Sequence, residues 1–231
     1  MRRRLGFLIM GLLFVLGVQP AFSQAAEEYL PAAVPGDEYK EVIINIDGAP
    51  IKGDANANLI LIEFSDYQCP CSVRHTRELA PQIDEEFVET GKLRHVFMDF
   101  PLSTHKNAYK AAVACLCARD QGMYWEMHDM LFNNPDYDPA YLETENLIKY
   151  AEEQKLSITM FKACLESGFH DAEINQRIDE GNKAGVSSIP TFIVGFIQPD
   201  GTVKEVDRQV GAAKMYDPIK YLIYRALVSK Q

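Results

Sequence analysis

Leu59, Ile60, Leu61, Ile62, Glu63 and Phe64 form an apolar run interrupted by one acid; after a short loop, residues 65–68, come Cys69, Pro70, Cys71 and Ser72. A continuous apolar run of this length is what a central strand needs when both faces of its sheet are covered. Beyond the cysteines, Leu79, Ile83 and Phe87 recur four apart, the period of one helix face. The chain therefore passes from a buried strand through a tight loop into a helix, with two thiols at the junction. Such a unit belongs to α/β architecture.

The flanking pattern agrees. Residues 42–46 are a β-branched run that predicts a first strand, residues 48–58 are rich in Gly, Asn and Asp and predict a turn, and residues 93–100 predict another strand after Gly91. From His105 to Lys183 the spacing is helical, with breaks at Asn133, Asn134 and Pro135 and at Gly168. Helices are predicted near 144–154 and 159–167. Ala108, Ala111, Ala112 and Cys115 fall on one stripe, and Trp125 and its neighbours form an apolar stripe that predicts core. Residues 191–194 and 203–210 read as strands around a turn at 198–201, and residues 213–228 as a closing helix with Ile219, Leu222, Ile223 and Leu227 on one face. There is no internal repeat.

Composition narrows the function. The 231 residues include 23 Lys or Arg against 33 Asp or Glu, a net charge of -10, which excludes the basic face of a nucleic-acid binder. The apolar fraction of 47% and charged fraction of 24% exclude wholesale disorder. At the start, Arg2, Arg3 and Arg4 precede an apolar stretch, residues 5–18, and then Pro20 and the small residues Ala21, Ser23 and Ala25. Residues 1–23 thus read as a secretory signal peptide, too short in its apolar part for a membrane span of about 20 residues. Cleavage after Ser23 or Ala25 fits, and residues 24–40, with Pro31, Pro35 and Gly36, read as a linker. The mature chain is expected to be periplasmic or secreted, where disulfides persist. Five cysteines leave at least one thiol unpaired in a monomer.

Cys69 is the first cysteine at a helix N-terminus. Unpaired backbone N–H groups there favour an anion, so the expectation is a thiol pKa pulled down and a larger share of thiolate, the attacking species in disulfide exchange. Pro70 suits the first helical turn because its missing N–H has no partner to lose. A buried, inert cysteine is the plainer alternative.

The stretch from Ile62 through Ser65, Asp66, Tyr67 and Gln68 to Cys69 and Pro70, with Gly185, Val186, Ser187, Ser188, Ile189, Pro190, Thr191 and Phe192 far downstream, resembles the DsbA-like thioredoxin-fold family. The likeness runs from about residue 40 to the C-terminus and takes in Phe100, Pro101, Leu102 and His105, and residues 121–132. It implies a thioredoxin-like fold with an inserted helical domain: first part of the core 41–104, insertion 105–183, second part 184–231. It further implies that Ile189 and Pro190 form a cis-proline loop beside the cysteines, against the alternative of a trans proline opening a strand. Glu63 matches a buried acid proposed in the family as a proton shuttle; the alternative is a strand-end carboxylate reaching solvent. Cys117 and Cys164 resemble a structural disulfide of some members, which leaves Cys115 as a small core residue.

One departure matters. The family's motif is Cys-x-x-Cys, whereas this chain reads Cys69, Pro70, Cys71, Ser72. Either a residue is missing between the cysteines, or Ser72 has replaced the second; the count from Cys69 to Pro81 favours the latter. A dithiol cycle at this site then needs Cys71, and two residues so spaced in a regular helix diverge, so Cys69 must lie outside the first turn or that turn must distort.

The expected function is a thiol–disulfide oxidoreductase acting on disulfide-containing or unfolded exported proteins through Cys69 and Cys71, with no organic cofactor; the resemblance implies a quinone-linked membrane redox partner. Two other classes compete: a redox-inactive thioredoxin-fold binding module or chaperone, and a Cu(I) carrier holding the ion on Cys69 and Cys71. The histidines at 75, 95, 105, 128 and 170 show no metal-ligand spacing and read as structural or surface residues.

Overall fold

The computed structural model describes residues 42–134, 137–211 and 217–229. The expected signal peptide and linker lie outside them. Among the described residues six strands, β1 (Ile43–Asn45), β2 (Ile51–Lys52), β3 (Leu59–Ser65), β4 (Arg94–Asp99), β5 (Thr191–Ile197) and β6 (Thr202–Val210), form one sheet in the order β1-β6-β5-β3-β4-β2. β3 runs parallel to β4 and antiparallel to β5. Every residue of β3 is buried, as its unbroken apolarity requires. Ile60, Ile62 and Phe64 pack on one side with Val96, Met98 and Ile193; Leu59 and Leu61 pack on the other with Leu79, Phe87 and Ile223. Each such side chain contributes about 1.5–3 kcal/mol by leaving water.

Two expectations near β3 need correction. The stretch 48–58 is not only a turn, because Ile51 and Lys52 pair antiparallel with Val96 and His95 and form the sheet edge. Nor is the helix after the cysteines continuous. It is α1 (Pro70–Glu78), then α2 (Ala80–Ile83), then a π-helical turn, Asp84–Val88. The interruption falls at Leu79, whose φ of -112° departs from helical values just ahead of Pro81. Proline lacks an N–H and its ring collides with the carbonyl four residues back, so the helix must restart there.

The helical block comprises α3 (Ala108–Arg119), α4 (Tyr124–Phe132), a 3₁₀ turn (Pro139–Leu142), α5 (Thr144–Glu153), α6 (Ile158–Ser167) and α7 (Asp171–Lys183), and α8 (Asp217–Ser229) closes the chain. The predicted stripe on α3 is in fact buried on all sides, from Ala111 through Ala118, as a helix at the centre of a bundle is. Gly168 ends α6 in the left-handed conformation, φ 69°, where a β-carbon is penalised. α7 bridges two regions. Its Ile174 joins the core of the helical block, while a β-carbon on Gly181 would stand 2.5 Å from the Phe100 ring beside the sheet.

Candidate active site

Cys69 is the N-cap of α1. Its backbone is extended (φ -71°, ψ 117°), Pro70 opens the helix, and the Val73 N–H closes the first turn on the Cys69 carbonyl at 3.0 Å. Cys69 therefore lies outside the first turn. Its sulfur is buried and points to the Ile189 carbonyl oxygen, 3.8 Å away, and the Ile189–Pro190 peptide bond is cis. Cys71 is exposed and also a free thiol. Ser72, in the position where the family's motif has its second cysteine, is fully buried.

The expected depression of the Cys69 pKa does not hold. Burial pushes the thiol up. The Ser72 hydroxyl and the N–H groups of Ser72 and Cys71 pull it down, as a helix N-terminus should, and the charge of Asp66 pushes it up again; the net direction is upward. The pattern of a cysteine at a helix start reveals the helix but not the depth at which the sulfur sits.

Asp66, in the loop ahead of Cys69, organises the site. One carboxylate oxygen accepts the N–H groups of Gln68 (3.0 Å) and Cys69 (2.8 Å). The other accepts the Leu102 N–H (3.0 Å) and His105 Nδ1–H (2.7 Å). The Asn107 N–H donates to Gln68 Oε1 at 2.8 Å, a second tie between the same two loops. An Asp accepting the N–H groups two and three residues on makes an Asx turn, a pattern that sequence reading can recognise.

Glu63 does not reach solvent: it is 1% exposed. Its Oε2 lies 3.2 Å from His95 Nε2 and 3.8 Å from His75 Nε2. Burial alone raises a carboxyl, but His75, then His95 and His128, outweigh it and hold Glu63 down at about 2, while burial lowers His75 to about 4. The acid is therefore buried and set among histidines. The three histidines come from α1, β4 and α4, and no linear spacing announces their meeting. Glu63, His95 and His128 also line a cleft of about 720 Å³ rimmed by Lys52, Glu126 and Asp129; Cys69 and Ile189 are not among its walls.

Cys117 on α3 and Cys164 on α6 are joined in a disulfide, with their Cα atoms 5.8 Å apart. Cys115 is a fully buried free thiol pushed well up by burial.

A buried thiol at a helix N-cap, a cis-proline loop across from it and helices inserted between β4 and β5 together define a DsbA-like thioredoxin fold. The chain belongs to the thioredoxin family, whose model matches residues 46–210. Among solved structures it is similar to α-DsbA1 of Wolbachia pipientis (TM-score 0.67, 21% identity, covering 81% of this chain and 97% of that one). It is 24% identical to disulfide bond formation protein D of Bacillus subtilis, covering 80% of each chain. It is also 30% identical, over 66% of its length, to the Na(+)/H(+) antiporter NhaA 3 of Salinispora tropica, of which it spans 22%.

Proposed function

We propose that this chain is a thiol–disulfide oxidoreductase that forms or exchanges disulfides in exported polypeptides, with Cys69 the attacking thiol and Cys71 its redox partner. The observation that carries the reading is the placement of Cys69 as an extended N-cap facing the carbonyl ahead of cis-Pro190. Extended backbone at Cys69 removes the objection that residues two apart in a helix diverge, and the exposure of Cys71 leaves it open to a substrate sulfur. The names of the relatives, a disulfide bond formation protein and a DsbA, point the same way.

In the reductive direction the Cys69 thiolate attacks one sulfur of a substrate disulfide, forms a mixed disulfide and releases the other sulfur as a thiolate. Cys71, deprotonated, then attacks the Cys69 sulfur; the second substrate sulfur leaves, and the site is left as a Cys69–Cys71 disulfide. Substrate oxidation is the reverse sequence. The backbone before Pro190, at Ile189, holds an extended substrate segment beside Cys69. Residues 1–23 direct export, and a membrane redox partner regenerates the site.

Turnover of a polypeptide disulfide with dithiothreitol tests the reading. Cys69→Ser is expected to abolish it, and Cys71→Ser to accumulate mixed disulfides through Cys69. Parent-like turnover by Cys71→Ser would show a monothiol Cys-x-x-Ser site, and an inactive parent would leave the redox-inactive binding module.

A further inference from the structure

We propose that His105 is a positioning residue of the thiol site: by holding and compensating the buried Asp66 carboxylate it sets the reactivity of Cys69. The inference rests on Cys69 being the reacting thiol and adds a determinant from outside the Cys69–Ser72 segment.

Asp66 is 1% exposed and receives four donors. Three are backbone N–H groups, which carry no net charge. The fourth is the His105 imidazole, at 2.7 Å the shortest of the four and the one side chain among them. A carboxylate taken out of water needs such a partner, because backbone dipoles alone compensate a full charge incompletely. The same carboxylate accepts the Cys69 N–H, and its charge acts upward on the thiol, the smallest influence after burial and the Ser72 and Cys71 groups, so any change in its compensation reaches Cys69 through this contact. His105 sits in the loop between β4 and α3, bound to the carboxylate oxygen opposite the one that takes the Cys69 N–H, and its side chain is 21% exposed. The arrangement also joins the two loops mechanically, since Asp66 holds Leu102 and His105 with one oxygen and Gln68 and Cys69 with the other.

The two partners therefore act on Cys69 with opposite signs. Removing the imidazole leaves Asp66 less compensated and raises the thiol further; removing the acid's charge lowers it. The test is the rate of Cys69 alkylation by iodoacetamide in the reduced protein at pH 7, read by peptide mass mapping, which needs no disulfide substrate. Each unit of pKa shift changes the thiolate fraction about tenfold well below the pKa. His105→Leu is expected to slow alkylation several-fold, His105→Gln, which keeps a donor to Asp66, to restore part of the rate, and Asp66→Asn to accelerate it. In an Asp66→Asn background His105→Leu should have no further effect. Equal slowing by His105→Leu with and without the Asp66 charge would overturn the proposal, as would unchanged alkylation in a His105→Leu protein whose circular dichroism matches the parent. An inactive parent that shows the opposite-sign pattern would overturn the oxidoreductase reading and leave this one standing.

Discussion

The surroundings of Cys69 and the helical block around Cys117 and Cys164 solve opposite problems. The helical block hides a run of small and apolar side chains, Ala111 through Ala118, and closes it with a disulfide between two helices. The thiol region keeps charges and lone polar atoms inside the protein. Around the sheet and α1, Glu63 Oε1, both ring nitrogens of His75 and His95 Nδ1 are buried without a hydrogen-bond partner among the described residues, and the helical block holds His128 Nε2, Gln154 Oε1 and Arg177 Nε in the same state. Such groups cost stability, and a fold keeps them where they shape chemistry. The helical block adds a covalent tie to its apolar core; the region of Cys69 and Glu63 carries its buried polar groups without one.

The contrast breaks first on activity. Cys69→Ser should reduce disulfide turnover to background, whereas Cys117→Ala with Cys164→Ala should leave turnover by the folded protein close to the parent's. A comparable loss in both proteins would show that the helical disulfide takes part in the chemistry. On stability the ranking reverses. Opening the Cys117–Cys164 bond releases a loop with a sequence separation of 47, worth about 4 kcal/mol on the chain-entropy model. Urea denaturation of the doubly substituted protein should show a loss of that order, and Cys69→Ser a much smaller one.

These two regions were unequally legible in the sequence. Strand β3 and the helix start at Pro70 were readable because an unbroken apolar run and a proline at a helix's first position are local signals. The break at Leu79 was also written locally, in Pro81, but the recurrence of Leu79, Ile83 and Phe87 bridged it. β2 was not readable, because two residues have no period, and Ile51 and Lys52 are a strand only by pairing with β4. The histidines around Glu63 come from three separate elements, so their roles emerge only on folding. The upward shift of Cys69 is not legible for a related reason: position at a helix N-terminus is local, while burial is set by the whole fold.

Acid should separate the regions as well. His75 is held at about 4, below its ordinary 6.5, so as pH falls from 6.5 the unfolded chain takes up a proton that the folded one refuses, and stability is lost down to about pH 4. Glu63, at about 2 against an ordinary 4.5, contributes stability that is present above 4.5 and lost as pH falls toward 2. Both act in the same direction. The His75 contribution alone is roughly 3 kcal/mol between neutral pH and pH 4, at about 1.4 kcal/mol per unit. Urea midpoints measured across this range should fall more gently in His75→Leu, while the variant without the helical disulfide should keep the parent's slope. An unchanged slope in His75→Leu would refute the assignment.

The smallest effect is expected at the joint between the regions. α7 buries Ile174 in the helical core and brings Gly181 against the aromatic pair beside the sheet, Phe64 and Phe100, whose rings meet edge to face with centroids 6.2 Å apart. A β-carbon at Gly181 would stand 2.5 Å from two atoms of the Phe100 ring and 3.1 Å from Phe64, closer than packed carbon atoms approach. Alanine favours a helix interior over glycine by about 1 kcal/mol, so on propensity alone Gly181→Ala would stabilise α7. Overpacking a filled site costs about 1–3 kcal/mol and works against that gain. The net expectation is a loss of about 1 kcal/mol by urea denaturation. Phe100→Leu, which removes the obstructing ring atoms, should turn the Gly181→Ala change neutral or favourable in a double-mutant cycle. If Gly181→Ala stabilises the parent outright, α7 is free to shift away from the sheet, and the two regions are joined more loosely than this packing implies.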